Sequence, residues 1–232
     1  MDFPDLPGRL AQVRDRIGFH QARGGWSHPV RIVAVTKSHG PEAVRAAVAA
    51  GLADVGENRV QEALTKQEQL GEVPVRWHLI GTLQRNKVRH VVGRFALIHS
   101  VDRIELAREL ERRIAEAAPE GARQPVLIEV NCSGETAKSG IEPAGLGLLL
   151  EGVAGLPRLE LRGLMTLAAL SGEERVQRAA FSMLRALRDR MQSGGHSLPE
   201  LSMGMSGDFP VAVEEGATMV RLGTLLFGER PQ

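Results

Sequence analysis

The chain has 232 residues, room for one large α/β domain or two small ones, and 43% of them are apolar. Aromatic residues reach only 3%, with no tyrosine, so packing must rest on Leu, Val, Ile and Ala. The net charge is +1, and the arginines alternate with Glu and Asp as in 103–113, which argues against a nucleic-acid or membrane surface.

The first ten residues carry Asp2, Pro4, Asp5 and Pro7 and lack the basic-then-apolar pattern of a secretory signal. No stretch approaches the roughly 18 apolar residues of a membrane span. Cys132 is the lone cysteine, so no internal disulfide can form, and a soluble cytoplasmic protein is expected. Leu6, Leu10, Val13 and Ile17 fall at helical spacing and predict an amphipathic helix within 1–25. Apolar runs that read as strands follow at 30–35, 53–55, 75–80, 95–101, 126–130, 159–165, 201–203 and 218–222. Between them lie helical segments. The first starts at Pro41 and stops before Gly51. Stronger ones carry the stripes Leu106, Leu110, Ile114 and Val176, Ala180, Leu184, Leu187, Met191, and weaker ones follow Asn58, Gln84, Pro143 and Asp208.

Strands that are continuous apolar runs are buried parallel strands, and eight of them alternating with helices predict a (β/α)8 barrel. The rival architecture is an open doubly wound sheet. Only ten residues follow Leu222, too few for a full eighth outer helix. The helix within 1–25 is therefore expected to pack on the barrel, over that gap or over the floor. One domain, 1–232, is the simplest division.

Chemistry in such barrels sits at the C-terminal ends of the strands. Read in order, those ends carry Lys37, Glu57-Asn58, His78 and Gly81, His99-Ser100, Asn131, Met165-Thr166, Ser206-Gly207 and Arg221-Gly223-Thr224. Lys37 is one of four lysines, with Lys66, Lys87 and Lys138, in a chain that otherwise uses arginine. An amine at the end of a buried strand is placed to lose its proton and form a Schiff base with an aldehyde such as pyridoxal phosphate, which a guanidinium cannot do. It is equally the polar residue where a strand meets solvent. Ser206, Gly207, Gly223 and Thr224 leave strands seven and eight, the loops that commonly hold phosphate in barrels, and Asp208 is placed to cap the helix between them. Arg221 beside them is either an anion clamp or, in a pyridoxal phosphate site, a donor to the pyridine nitrogen. His78 and His99 read more simply as structural histidines. No metal-ligand set is expected.

The segments Val33-Ala34-Val35-Thr36-Lys37, Gly56-Glu57-Asn58-Arg59-Val60-Gln61-Glu62, Trp77 through Lys87, Gly163-Leu164-Met165-Thr166, Leu201 through Phe209 and Val220 through Gly228 resemble, in order, the pyridoxal phosphate homeostasis proteins, the YggS group. Ser100 through Arg103 and Val130 through Glu135 with Lys138-Ser139-Gly140 extend the match, and Cys132 departs from the usual aliphatic residue. The resemblance implies a fold-type III barrel like that of alanine racemase. It implies that Lys37 carries the cofactor as a Schiff base and that Arg221 faces the pyridine nitrogen. Ser206, Gly207, Gly223 and Thr224 would hold the phosphate, and Asn58 and Met165 would line the ring. It also implies a carrier that buffers intracellular pyridoxal phosphate, a vitamin B6 form, for acceptor enzymes, as a monomer or weak homodimer.

The composition bears on turnover. A racemase on this barrel needs a second proton donor opposite the lysine, a tyrosine from a second domain in alanine racemase, and this chain has no tyrosine. His78, His99 or Cys132 would have to substitute. A non-catalytic carrier is the expected function. A pyridoxal phosphate-dependent racemase or decarboxylase acting on a small amino acid and a phosphosugar enzyme with Lys37 as an aldolase-type imine remain as alternatives. Lys138, on the loop after strand five, is the rival amine.

Overall fold

The computed structural model describes residues 3–135 and 138–229. Positions 1–2, 136–137 and 230–232 of the predicted domain lie outside the described residues. Eight strands, β1 Arg31–Val35, β2 Asp54–Glu57, β3 Arg76–Leu79, β4 Leu97–Val101, β5 Gln124–Glu129, β6 Leu159–Met165, β7 Glu200–Met205 and β8 Met219–Leu222, close into a parallel barrel in chain order. The seam between first and last strands pairs Arg31 with Met219 and Val33 with Arg221 in register, which rules out the open sheet.

The outer elements are α1 Leu6–Gly24, α2 Pro41–Ala49, α3 Val60–Leu70, α4 Ile104–Ala117, α5 Leu146–Ala154, α6 Glu174–Ser193, α7 Phe209–Glu214 and α8 Thr224–Phe227. The stripes that predicted them are the faces they bury. Leu6, Leu10, Val13 and Ile17 of α1 are buried, as are Leu106, Leu110 and Ile114 of α4. Between β3 and β4 the chain forms only a 3-10 helix, Arg85–His90, in which Val88 is the one buried side chain, so a longer amphipathic face has nothing to bury.

With four residues, α8 cannot cover its sector, and α1 packs against α7 and α8 to fill the side gap rather than the floor. Polar contacts lock it there. His20 Nδ1 lies 2.7 Å from Glu214 Oε1, Arg23 pairs with the same carboxylate at 3.1 Å, and Trp26 Nε1–H donates to the Glu214 carbonyl at 2.7 Å. Arg178 of α6 joins Glu214 and Glu215. Among the described residues no helix is long and apolar enough to cross a membrane.

Candidate functional site

A cleft of about 560 Å³ opens at the C-terminal ends of the strands. It gathers Lys37, Asn58, Ser206, Gly207, Arg221, Gly223 and Thr224 on its walls. Met165 is not among them. It is buried in the barrel interior against Val33, Leu97, Leu127 and Met219, and the two-residue period of the strand hands the wall position to Leu167.

Lys37 stands two residues past β1, half-buried, at the start of a tight turn. Ser38 beside it has φ 66°, the one positive φ outside glycine among the described residues. Such a conformation costs a β-carbon on the order of 1 kcal/mol and persists where surrounding bonds enforce it. Those bonds come from the loop's neighbours. The Ser38 N–H donates to Glu62 Oε1 at 2.6 Å. Lys66 is buried, and its ammonium donates to the Thr36 carbonyl (2.8 Å), Glu57 Oε1 (2.6 Å) and Glu62 Oε1 (2.9 Å), spending all three protons. Glu57 is fully buried. Its Oε1 also accepts the Thr36 hydroxyl at 2.5 Å, while Oε2 has no partner, and burial pushes its carboxyl up against the pull of Lys66. Lys66 is therefore the brace of the turn that carries Lys37, with its whole ammonium committed to that loop.

Asn58 follows β2 directly, and its backbone is approached by Gly81 from the next loop. A β-carbon at Gly81 would sit 2.9 Å from Asn58 Cα and collide with its carbonyl oxygen, so only glycine allows this approach. On the other side, Ser206 Oγ accepts the N–H groups of Gly223 and Leu225, each at 3.4 Å, which draws the β7 and β8 loops together. Asp208 occupies the cap position of α7, but its carboxylate turns back to accept the Met205 N–H at 2.5 Å. Pro210 removes one of the N–H groups that a forward cap would accept.

Arg221 is 3% exposed and donates from Nη1 to Ser202 Oγ (2.6 Å) and from Nη2 to the Thr166 carbonyl (2.9 Å). Burial lowers its pKa to about 10, with Asp208 and Glu129 opposing that drop. Glu129, at the end of β5, lines the same cleft and was not singled out from the sequence. It is 3% exposed, its Oε2 has no hydrogen-bond partner, and burial followed by repulsion from Asp102 pushes its carboxyl up to about 7. The signal was one charge inside the apolar run 126–130. Asn131 serves its own loop, donating to the Glu135 carbonyl at 2.9 Å and accepting the Ser133 hydroxyl at 3.0 Å.

The three candidate substitutes for a tyrosine do not line the cleft. His78 and His99 lie buried inside the barrel and bond to each other at 2.9 Å, the structural role expected of them, although their side chains do not join the rim. Cys132 borders a separate hollow with Ser133, Val176 and Ala180, and burial pushes its thiol up to about 11. Lys138, the rival amine, donates to the Ala168 carbonyl at 2.9 Å and pairs with Glu135 at 3.2 Å, outside the cleft lining. Among the described residues no cluster of His, Cys, Asp or Glu is arranged to hold a metal ion.

The donor set fits an anionic aldehyde. One amine, one buried guanidinium that bonds with two of its five N–H groups, and hydroxyls and backbone N–H groups share one cavity, while the two carboxyls that act on Arg221, Glu129 and Asp208, are both raised toward the neutral form by burial.

Comparisons with known proteins agree with that chemistry. The family described as "Alanine racemase, N-terminal domain" matches residues 10–231. A pyridoxal phosphate homeostasis protein of Aquifex aeolicus is 46% identical over 224 residues, covering 96% of this chain and 97% of that protein. One of Pseudomonas aeruginosa is 46% identical over 95% of this chain and 94% of its own. The structure of PipY from Synechococcus elongatus PCC7942 with PLP bound superposes with a TM-score of 0.83 at 39% identity, covering 96% of this chain and 100% of that one. The chain therefore belongs to the pyridoxal phosphate homeostasis protein family, built on the barrel of the alanine racemase N-terminal domain.

Proposed function

We propose that this protein holds pyridoxal 5'-phosphate reversibly through Lys37 and acts as a carrier and buffer of that cofactor. The observation that carries the reading is the convergence of Lys37, Arg221 and the Ser206, Gly207, Gly223 and Thr224 loops on one cleft, in a chain 39% identical to a protein solved with PLP bound. When bound, the cofactor supplies an aldehyde that an amine captures reversibly, and the anionic tail that the β7 and β8 loops complement. Lys37 offers the amine, Ser206 and Thr224 the hydroxyls, and Gly207 and Gly223 close backbone approach. Arg221 can only donate, so a ring nitrogen facing it stays unprotonated and the ring withdraws electrons weakly, which suits storage better than turnover. Asn58 lines the ring, with Leu167 standing where Met165 was expected. The lone cysteine suits a cytoplasmic setting, and acceptor enzymes that need the cofactor are the partners, with the carrier a monomer or weak dimer. The test is an absorption spectrum of purified protein with added cofactor, before and after borohydride, followed by peptide mapping. A single adduct on Lys37, lost in Lys37→Ala, is the expected result. An adduct on Lys138 or Lys87 in the unaltered protein contradicts the assignment.

A second reading, a racemase or decarboxylase of small amino acids, is favoured by Glu129 alone, since a carboxyl raised to about 7 in the cleft can take and return a proton. Steady interconversion of D- and L-alanine that is lost in Glu129→Gln would select it over the carrier.

A further inference from the structure

Barrels of this type normally fill their interior with layers of branched aliphatic side chains. Here a polar line runs through that interior instead. Arg221 Nη1 donates to Ser202 Oγ (2.6 Å). Ser202 Oγ lies 2.9 Å from His99 Nδ1. His99 Nε2 lies 2.9 Å from His78 Nδ1, and His78 Nε2 lies 2.8 Å from Asp54 Oδ1. Asp54 opens β2 and is held by Arg76, which opens β3, through bonds of 2.8 and 2.6 Å. The line therefore starts in the cleft and ends at the opposite mouth, where Arg76 and His78 border a hollow of about 250 Å³. Asp54, His78, His99, Ser202 and Arg221 are each at most 4% exposed.

The donors and acceptors of this line can be assigned from its ends. Asp54 is held ionised: hydrogen bonds from His78 and Arg76 outweigh its burial and lower its pKa to about 2. An ionised carboxylate only accepts, so His78 Nε2 carries a proton. If His78 carries that proton alone, its Nδ1 lone pair takes the proton borne by His99 Nε2. Burial holds the His99 pKa well below its ordinary value and keeps the ring neutral, so its Nδ1 accepts from the Ser202 hydroxyl. Ser202 is left with a lone pair for Arg221. Every proton in the line points from the cleft toward Asp54.

We propose that Asp54 is a positioning residue for the cleft, acting through His78, His99 and Ser202 to hold the Arg221 guanidinium in one orientation. Burying four polar side chains costs desolvation that an aliphatic filling would not, so stability alone gives no reason for them. A uniformly directed chain that ends on a charge polarises each bond in turn, so the acceptor presented to Arg221 is stronger than an isolated serine. The effect on the cofactor rests on the reading that Arg221 meets the bound pyridoxal phosphate, whereas the proton arrangement does not.

Two measurements test the proposal. The first is nitrogen-15 NMR of the histidine rings in the cofactor-free protein at neutral pH. Both His78 and His99 are expected as neutral rings protonated on Nε2. A ring of His99 protonated on Nδ1, or a charged His78, overturns the assignment whatever the protein binds. The second is a double-mutant cycle on cofactor retention, using Asp54→Asn and Ser202→Ala. Each is expected to weaken retention severalfold and to shift the absorption spectrum of bound pyridoxal phosphate, with the double variant no worse than Ser202→Ala alone. Arg76→Gln, which leaves the His78–Asp54 bond in place, is expected to keep both tautomers. Independent, multiplying losses mean that Asp54 acts only on general stability. If the tautomers are as assigned and no variant binds differently, the role given to Arg221 in the cofactor site fails, not the wiring.

Discussion

Lys66→Met examines how the turn that carries Lys37 is held. The substitution keeps the apolar stem and removes the ammonium that bonds the Thr36 carbonyl, Glu57 and Glu62. Glu57 is 0% exposed and already has one oxygen without a partner, so it would be left as a buried charge with only the Thr36 hydroxyl beside it. Breaking a buried pair on one side costs about 3–5 kcal/mol, whereas removing both charges is often close to neutral. With a urea dependence near 3 kcal/mol per molar for a chain of this size, the midpoint is expected to fall by about 1–1.7 M. The double variant Glu57→Gln/Lys66→Met is expected to recover most of that loss. The loss in the single variant should grow as pH rises, because Glu57 can then no longer escape by protonation. Equilibrium urea titrations at two pH values measure all three quantities. A single variant within about 1 kcal/mol of the unaltered protein, or a double variant no better than the single, refutes the brace.

Glu129→Gln probes the unpartnered carboxyl. A folded-state pKa of about 7 against the usual 4.5 means that this group's favourable contribution is complete below 4.5 and is lost as pH rises through 7, a swing of roughly 3 kcal/mol. The glutamine variant should lack that slope in thermal melts across this range, and an identical slope would show that another group titrates. Gly81→Ala should push the Asn58 backbone out of place and lower cofactor retention by at least tenfold, about 1.4 kcal/mol, while most of the fold's stability survives. Unchanged retention measured by dialysis would show that Asn58 does not depend on that approach. Ser206→Ala and Thr224→Ala should each weaken retention by roughly 1–3 kcal/mol if each hydroxyl donates to a phosphate oxygen. Full retention in both removes the loops from the binding site.

The barrel was readable because its strands are apolar runs with punctuated helices between them, although β2 and β7 each extend two residues past the runs that mark them, to Glu57 and Met205. The cleft was readable for the same reason in Lys37, Asn58, Arg221 and the two glycine-bearing loops. What escaped depends on which way a side chain points at a strand's last residues. Met165 and Leu167 share one face, and the sequence does not say which of them reaches the wall. His78 and His99 read as rim residues because they sit near strand ends, yet they close an interior polar line whose members come from five different strands. Glu129 was masked by the apolar run around it, since a charge in such a run is legible only once burial and partners are known. The Lys66 brace needed the same information, because its three acceptors lie on three separate stretches of chain.

The pairing of β1 with β8 has a consequence for how the molecule breathes. Lys37 follows the first strand and Gly223 the last, so the groups that would grip a ligand straddle the one joint formed by residues nearly 190 apart in sequence. Every other strand pairing joins neighbours in the chain, so this joint has the largest loop to close and is the natural place for the cylinder to part. A molecule bridging both sides works as a clasp, so every opening of the joint must first release it, and loading and staying shut become one equilibrium.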